Sequence, residues 1–170
     1  NLPTNIYFGR TGAFTYTYDA LGSKLRKNVR GTTTEYAGNY VYENGNLQFF
    51  NHPEGYVKKN GNVFNYVYQY KDHLGNVRLS YTDANKDGTI VQSEIIEESH
   101  YYPFGLKMKG FNNVIAPHGN SVAQKFGYNG KELEESLGLN LMEMDMRQFD
   151  PTIARWTSID PVTHHSQSTY

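Results

Sequence analysis

The chain has 170 residues, a formal net charge of −1 and no cysteine, which is enough length for one domain with its own core. Without cysteine it has neither disulfides nor thiolate zinc sites, and the near-neutral charge disfavours nucleic acid and anionic membranes as partners. No run approaches eighteen apolar residues, so the sequence predicts no membrane-spanning helix.

Short segments in the first half of the sequence alternate between apolar and polar residues, with aromatic side chains at many apolar positions. The chain contains 15 Tyr, 9 Phe and 16 Gly, and tyrosine suits strands whereas glycine suits tight turns. The alternation predicts an all-β fold, an antiparallel meander of hairpins. It is clearest in four segments, which are Phe14–Leu25, Asn39–Phe50, Tyr56–Tyr70 and Tyr68–Tyr81.

Two Asn-Gly pairs predict hairpin turns. They lie in "ENGN" (Glu43–Asn46) and "KNGN" (Lys59–Asn62), sixteen residues apart. Asn and Gly both tolerate the positive φ angles of a type I′ turn, so each pair is expected to join two neighbouring strands.

A loose repeat of the form Tyr-x-Tyr-Asp, Gly, Leu accompanies these hairpins. It occurs at Tyr16, Tyr18, Asp19, Gly22 and Leu25, and again, shifted by one residue, at Tyr68, Tyr70, Asp72, Gly75 and Leu79. Repetition at the length of a hairpin indicates stacked hairpins that cover one another's apolar faces. A generic β-meander without true repeats is the alternative.

The segment "FNYVYQY" places four aromatic residues, Phe64, Tyr66, Tyr68 and Tyr70, on one face of a strand. Packing against a core explains such a face best. The alternative is a binding module whose rings contact glycans or a partner protein.

The segment "DANKDGTIVQSE" (83–94) resembles an EF-hand loop. Oxygen ligands are expected at positions 1, 3, 5, 7 and 12, with glycine at position 6. The candidate ligands are Asp83, Asn85, Asp87, the Thr89 carbonyl and Glu94. The flanks alternate like strands, so we expect a structural Ca²⁺ loop between two strands and not a paired calcium switch. A metal-free polar turn is the alternative.

The sequence contains no motif of an enzyme nucleophile, zinc protease or nucleotide site, so it does not predict an enzyme. In "MEMDMR", strand spacing places Met142, Met144 and Met146 on one face and Glu143, Asp145 and Arg147 on the other. A strand whose methionines face a core is therefore expected.

Four motifs resemble the RHS repeat-associated core domain of bacterial RHS/YD-repeat proteins. They are "YKDHLGNVRLSY", "YYPFGL", "FGYNGKELEESLGLNLMEMDMRQFDP" and "ARWTSIDP". The resemblance covers residues 68–170, and "YTYDALGSKL" is similar to one YD repeat, so residues 1–67 are assigned to YD-repeat-like hairpins. The acidic insert between "VRLSY" and "YYPFG" is similar to the variant found in Bacteroidetes.

The resemblance implies a function as well as a fold. RHS proteins build a β-sheet ribbon that spirals into a hollow shell around a C-terminal toxin or effector, and the core domain closes the shell. The chain, which does not start with Met, is then a segment of such a spiralling shell in a secreted or cell-surface bacterial protein. Its expected partners are the rest of the same polypeptide, another chain of a larger assembly, and the enclosed effector.

Many RHS proteins also cleave themselves just after the core domain, with aspartates in paired Asp-Pro-x-Gly motifs and a nearby arginine. By motif, Asp160 corresponds to the first aspartate and Arg155 lies in the matching "RW" segment. The motif here reads "DPVT" and lacks the glycine, and the second motif would follow Tyr170. Participation in aspartyl self-cleavage of the full-length protein is therefore the alternative function that the resemblance implies.

Overall fold

The computed structural model describes residues 2–9, 12–110, 113–114 and 119–160. Within these ranges, eleven strands form one antiparallel sheet in chain order. They are β1 (Asn5–Phe8), β2 (Gly12–Tyr18), β3 (Lys24–Val29), β4 (Thr32–Ala37), β5 (Tyr40–Glu43), β6 (Asn46–His52), β7 (Gly55–Asn60), β8 (Val63–Lys71), β9 (Val77–Tyr81), β10 (Ile95–Glu98) and β11 (Asn113–Val114). The predicted antiparallel meander is confirmed.

Among the described residues, a second antiparallel sheet of four strands and three short 3₁₀ helices complete the fold. The strands are β12 (Glu132–Glu134), β13 (Leu141–Met144), β14 (Arg147–Asp150) and β15 (Arg155–Trp156); the helices are η1 (Gln92–Glu94), η2 (Ala123–Phe126) and η3 (Ser136–Gly138). No helix in the described ranges is long and apolar enough to cross a membrane.

Both Asn-Gly pairs lie in turns, but they occupy different positions within their two-residue loops. Asn44 and Gly45, with φ of 49° and 76°, form the loop between β5 and β6, as expected for a type I′ turn. In the second hairpin Asn60 pairs with Val63. The loop there is therefore Gly61-Asn62, one residue later than predicted.

The two copies of the repeat fold into the same turn. The Asp19 carboxylate accepts the N–H groups of residues 21 and 23 at 2.8 Å, and the Asp72 carboxylate accepts those of residues 74 and 76 at 3.0 Å. Gly22 and Gly75 have φ of 86° and 83°, which glycine adopts without strain. The shift of one residue between the copies coincides with ladder irregularities just before each aspartate, at Thr17/Tyr18 and at Tyr70/Lys71.

The main core lies on one face of the large sheet. Phe49, Tyr56 and Val67 alternate inward from β6, β7 and β8 and are almost fully buried. The segment around η2 covers them, since Val122 and Ala123 are part of the same cluster and Phe126 stacks edge-on against Phe49. Burying each such large side chain stabilises the fold by about 1.5–3 kcal/mol.

The opposite face of β8 does not face a core, contrary to the expectation for its aromatic row. Phe64, Tyr66 and Tyr70 are 53%, 57% and 67% exposed. The rings instead cover β7, where Gly55 and Val57 pair with Tyr68 and Tyr66 and are buried. Elsewhere the expectation holds, because Phe14, Tyr16, Phe49 and Tyr56 are buried.

The methionine-rich segment is a hairpin and not one continuous strand. β13 ends at Met144, a turn follows at Asp145, whose φ is 41°, and β14 starts at Arg147. Met142 is buried but Met146 is 53% exposed. The predicted boundary between residues 67 and 68 falls within β8, and residues 161–170 of the assigned core domain lie outside the described residues; this division remains a prediction.

Candidate functional site

The loop between β9 and β10 carries the five predicted calcium ligands. The Asp83 carboxylate accepts the N–H groups of Asp87 and Gly88 at 3.2 and 3.0 Å. The Asp87 carboxylate accepts the Thr89 N–H at 2.7 Å and the Asn85 amide at 2.7 Å. The acidic side chains thus point into the loop, where backbone N–H groups hold them.

Glu94 closes this loop from the other end. It is 6% exposed, and its two carboxylate oxygens accept the N–H groups of Ala84 at 2.8 Å and Val91 at 3.1 Å. Gly88, with φ of 77°, supplies the sharp bend. The flanks are β9 and the short η1 followed by β10, so the loop joins two strands.

No three Asp, Glu, His or Cys side chains among the described residues gather in a metal-binding arrangement. Besides its three carboxylates, this loop offers two neutral oxygen donors, the Asn85 side-chain amide and the Thr89 backbone carbonyl. Hard oxygens of these types are what Ca²⁺ prefers. An ionised carboxylate has about four lone-pair sites, and the N–H bonds seen here leave Asp83 and Glu94 free acceptor capacity.

A second cluster of charged residues, absent from the predictions, joins the two sheets. Lys24 and Lys27 of β3 contact Glu132, Glu134 and Glu143 of β12 and β13. The Lys24 ammonium lies 2.6 Å from Glu132. Glu132 also accepts the Tyr36 hydroxyl of β4 at 2.7 Å. We call these six residues the ionic cluster.

Burial raises the pKa of the glutamates in the ionic cluster, whereas pairing with lysine lowers it. Burial alone would raise the pKa of Glu132, but Lys24 and Lys27 outweigh it and lower the pKa to about 2. The pKa of Glu134 is lowered in the same way, since Lys27 outweighs its burial. Burial raises the pKa of Glu143, and the neighbouring Glu132 adds to the rise.

The ionic cluster borders a cavity of about 280 Å³ that is lined in part by Tyr18, Lys24, Glu143 and Arg147. Glu143 was predicted on the strand face opposite the methionines, and its side chain is only 10% exposed. Sequence reasoning missed the cluster because its two halves lie about a hundred residues apart. The only local signal is the pair of alternating glutamates in "ELE" on a short strand.

Of the predicted cleavage residues, Arg155 lies on β15 of the second sheet, and Asp160 follows four residues after this strand ends. Asp160 pairs with Arg147 at 2.8 Å, and the Arg147 guanidinium lies 4.0 Å above the Trp156 ring. Arg155 is exposed and pairs in register with Asp150. Asp160 therefore contacts Arg147, which lies on β14, one strand away from the arginine that the motif suggested.

No protein-family model and no curated protein matches the chain. Solved structures do match. A crystal structure of TcdB2-TccC3-TEV has a TM-score of 0.62 and 20% identity over 91% of this chain. One of TcdB2-TccC3 has 0.62 and 18% over 92%, and a Photorhabdus luminescens Tc holotoxin pore has 0.61 and 19% over 92%. The chain spans 8% of each of those chains. At this identity the likeness establishes the fold alone.

Proposed function

We propose that the chain is a wall and closure segment of a secreted or surface-exposed RHS shell that encloses a C-terminal effector. The observation that carries this proposal is the eleven-stranded meander in chain order, which shares its fold with part of a long chain in a Tc holotoxin pore. The outer edge of β1, which no strand of the described residues pairs, and the exposed rings of β8 suit a segment whose neighbours lie in the same polypeptide.

Protease protection tests the shell. In the intact protein, a segment C-terminal to this chain should resist a protease concentration that digests it after the shell is opened with denaturant. Digestion at the same rate in both conditions would contradict enclosure. The readout is the time course of the C-terminal fragment on a gel.

We further propose that the loop of residues 83–94 binds Ca²⁺ as a structural brace. Support comes from the inward-facing Asp83, Asp87 and Glu94 carboxylates and from the hairpin position of the loop. Bound calcium would neutralise three carboxylates that are close in sequence, and it would fix the path from β9 to β10. Ligand binding to the folded state stabilises by about 2.7 kcal/mol at a hundred times the Kd.

The test compares melting temperatures with and without Ca²⁺, together with calorimetric titration. Ca²⁺ should raise the melting temperature of the unaltered protein. Asp83→Asn keeps an oxygen for the Gly88 N–H but loses a charged ligand, so the calcium-induced rise should be lost while the calcium-free melting temperature changes little. Asp72→Asn, in the turn of the repeat, is the control and should keep the rise. No binding heat in the unaltered protein would leave a metal-free turn.

A contribution to self-cleavage is the second candidate, favoured by the pairing of Asp160 with Arg147 beside Trp156. In the full-length protein, Asp160→Asn should abolish processing if Asp160 is catalytic, whereas Asp150→Asn should leave processing intact. Unchanged fragment sizes with Asp160→Asn would remove the enzymatic role and would leave the shell proposal standing.

A further inference from the structure

The three glutamates of the ionic cluster differ in the number of hydrogen-bond donors that each one contacts. Glu132 accepts hydrogen bonds from two lysines and a tyrosine hydroxyl, and Glu134 accepts them from one lysine and a backbone N–H. Among the described residues, Glu143 accepts a hydrogen bond only from Lys24, through Oε2. Its other oxygen, Oε1, is buried and has no hydrogen-bond partner in the described part of the chain.

The ionic cluster also holds one carboxyl group more than it has ammonium groups. Two lysines face three glutamates, so three ionised carboxylates would leave one negative charge without compensation. The other two described cations that line the adjoining cavity are already paired, Lys131 with Asp145 at 2.7 Å and Arg147 with Asp160 at 2.8 Å. A buried carboxylate without compensation normally takes up a proton. Glu143 has the fewest donors and is therefore the carboxyl group at which a proton costs least.

An acceptor for such a proton lies beside Glu143. The Tyr16 hydroxyl of β2 is buried and also lacks a hydrogen-bond partner among the described residues. Burial and, after it, the nearby Glu143 carboxyl group raise the pKa of this hydroxyl, so the hydroxyl stays neutral. A hydroxyl oxygen has two lone pairs and can accept a hydrogen bond from a protonated Glu143. Because the Tyr16 hydroxyl and Oε1 of Glu143 are both closed to solvent, an external cation does not reach this place.

Titratable side chains face Glu143 from every element packed against it. Burial raises the pKa of Glu143 the most, Lys24 and Lys27 lower it, and Glu132 raises it again, with a raised pKa as the result. Glu132 has a pKa of about 2, so Glu143 holds a proton in a pH range in which Glu132 is ionised. The titratable neighbours are Tyr16 and Tyr18 of β2, Lys24 and Lys27 of β3, Tyr36 of β4, Glu132 and Glu134 of β12, and Lys131, Asp145 and Arg147 at the cavity.

We propose that Glu143 is a neutral carboxylic acid in the folded protein, with its proton on Oε1, and that loss of this proton as the pH rises weakens the contact between the second sheet and the large sheet. The neutral acid leaves two ammonium groups opposite two carboxylates, and its Oε2 still accepts a hydrogen bond from Lys24.

The sign of the pH dependence follows from the proton that the folded state keeps. Unfolding exposes Glu143, whose pKa then returns to its ordinary 4.5. The stabilisation is therefore complete below pH 4.5 and is lost as the pH rises through the higher pKa of the folded state. This dependence needs only the contact between the two sheets and not an enclosed effector.

Infrared difference spectroscopy of the intact protein tests the proton at pH 6, where an ordinary glutamate is ionised. The spectrum of the unaltered protein minus that of Glu143→Gln should contain the C=O stretch of a protonated carboxylic acid. Glu132→Gln is the matched control, and the corresponding difference should contain a carboxylate band. A carboxylate band in the Glu143→Gln difference would overturn the proposal.

Amide hydrogen exchange tests the contact between the sheets. In the unaltered protein, the amides of β12 and β13 should exchange faster relative to those of β6 and β7, by about tenfold for each pH unit above 5 until the proton leaves the folded state. In Glu143→Gln, which cannot titrate, this ratio should stay constant. Tyr16→Phe removes the acceptor of the proton, so the ratio should stop rising at a lower pH. A ratio that is independent of pH in the unaltered protein would contradict the proposal, even if Glu143→Gln did not fold.

Discussion

Lys27 shows what a single buried charge does in this fold. Its side chain is 3% exposed between Glu132 and Glu134, so it compensates two carboxylates that have left water. Removing one partner of a buried ion pair costs about 3–5 kcal/mol, because the remaining charge is left without compensation.

Lys27→Met should therefore lower the free energy of unfolding by about 3–5 kcal/mol, measured by urea denaturation. Arg26→Met is the matched control. Arg26 is the preceding residue, and it forms an exposed pair with Glu35 at 2.6 Å, worth at most about 1 kcal/mol. Equal losses in the two variants would show that the ionic cluster contributes no more than a surface pair.

The shifted pKa values in the ionic cluster predict that the folded state loses stability in acid. Glu132 has a folded pKa of about 2, below its ordinary 4.5, so its stabilisation is complete above pH 4.5 and is lost as the pH falls towards 2. Glu134 acts in the same direction. Glu143 opposes them, because its raised pKa favours proton uptake in the folded state.

The melting temperature should thus fall steeply below about pH 4.5. Glu132→Gln, which cannot titrate, should be less stable at pH 7 and should lose less between pH 4.5 and 3. The measurement is a series of thermal melts across this range. A parallel decline in both proteins would assign the acid lability to other groups.

At the scale of elements, the β7–β8 hairpin depends on Gly55. Its φ is +153°, and a Cβ there would lie 2.1 Å from the Val67 carbonyl oxygen. That oxygen belongs to the backbone of the partner strand and cannot move without breaking the ladder. Gly55 pairs in register with His52 on one side and Tyr68 on the other, and the ring centroids of these two residues lie 6.1 Å apart.

Gly55→Ala should cost about 3 kcal/mol or more, at the upper end of single substitutions. Gly61→Ala is the control, because Gly61 has φ of +60° but nothing within 4 Å of a Cβ; the left-handed conformation alone costs about 1–2 kcal/mol. Urea midpoints compare the two variants. Similar midpoints would mean that the hairpin relaxes around the added methyl group.

At the scale of the whole molecule, exposed rings and open strand edges predict association. Tyr66 and Tyr70 lie on a face with several aromatic neighbours, and large apolar patches of this kind mark interaction surfaces. The 170-residue chain by itself should sediment with a concentration-dependent mass. Tyr66→Glu with Tyr70→Glu should reduce association, whereas Leu21→Glu, at an exposed loop position, should not. A monomer at all concentrations would contradict this prediction.

Alternation of apolar and polar residues, Asn-Gly turns and the Asp-Gly repeat predicted the meander correctly, because these features act over a few residues. Period-two patterns place neighbouring side chains on opposite faces, and Asp19 and Asp72 bond to N–H groups within four residues. The oxygen-rich loop of residues 83–94 was likewise visible as a local pattern, and its calcium remains a prediction.

Which face of each strand is buried was decided only by the tertiary structure. Alternation in β8 predicts two distinct faces but not which of them is buried. The segment around η2 covers the face that carries Val67, and the rings of Phe64 and Tyr66 on the other face stay exposed. The pairing of Lys27 with Glu132 joins residues 105 positions apart. Such contacts depend on where the second sheet packs, and no local pattern in the chain encodes that position.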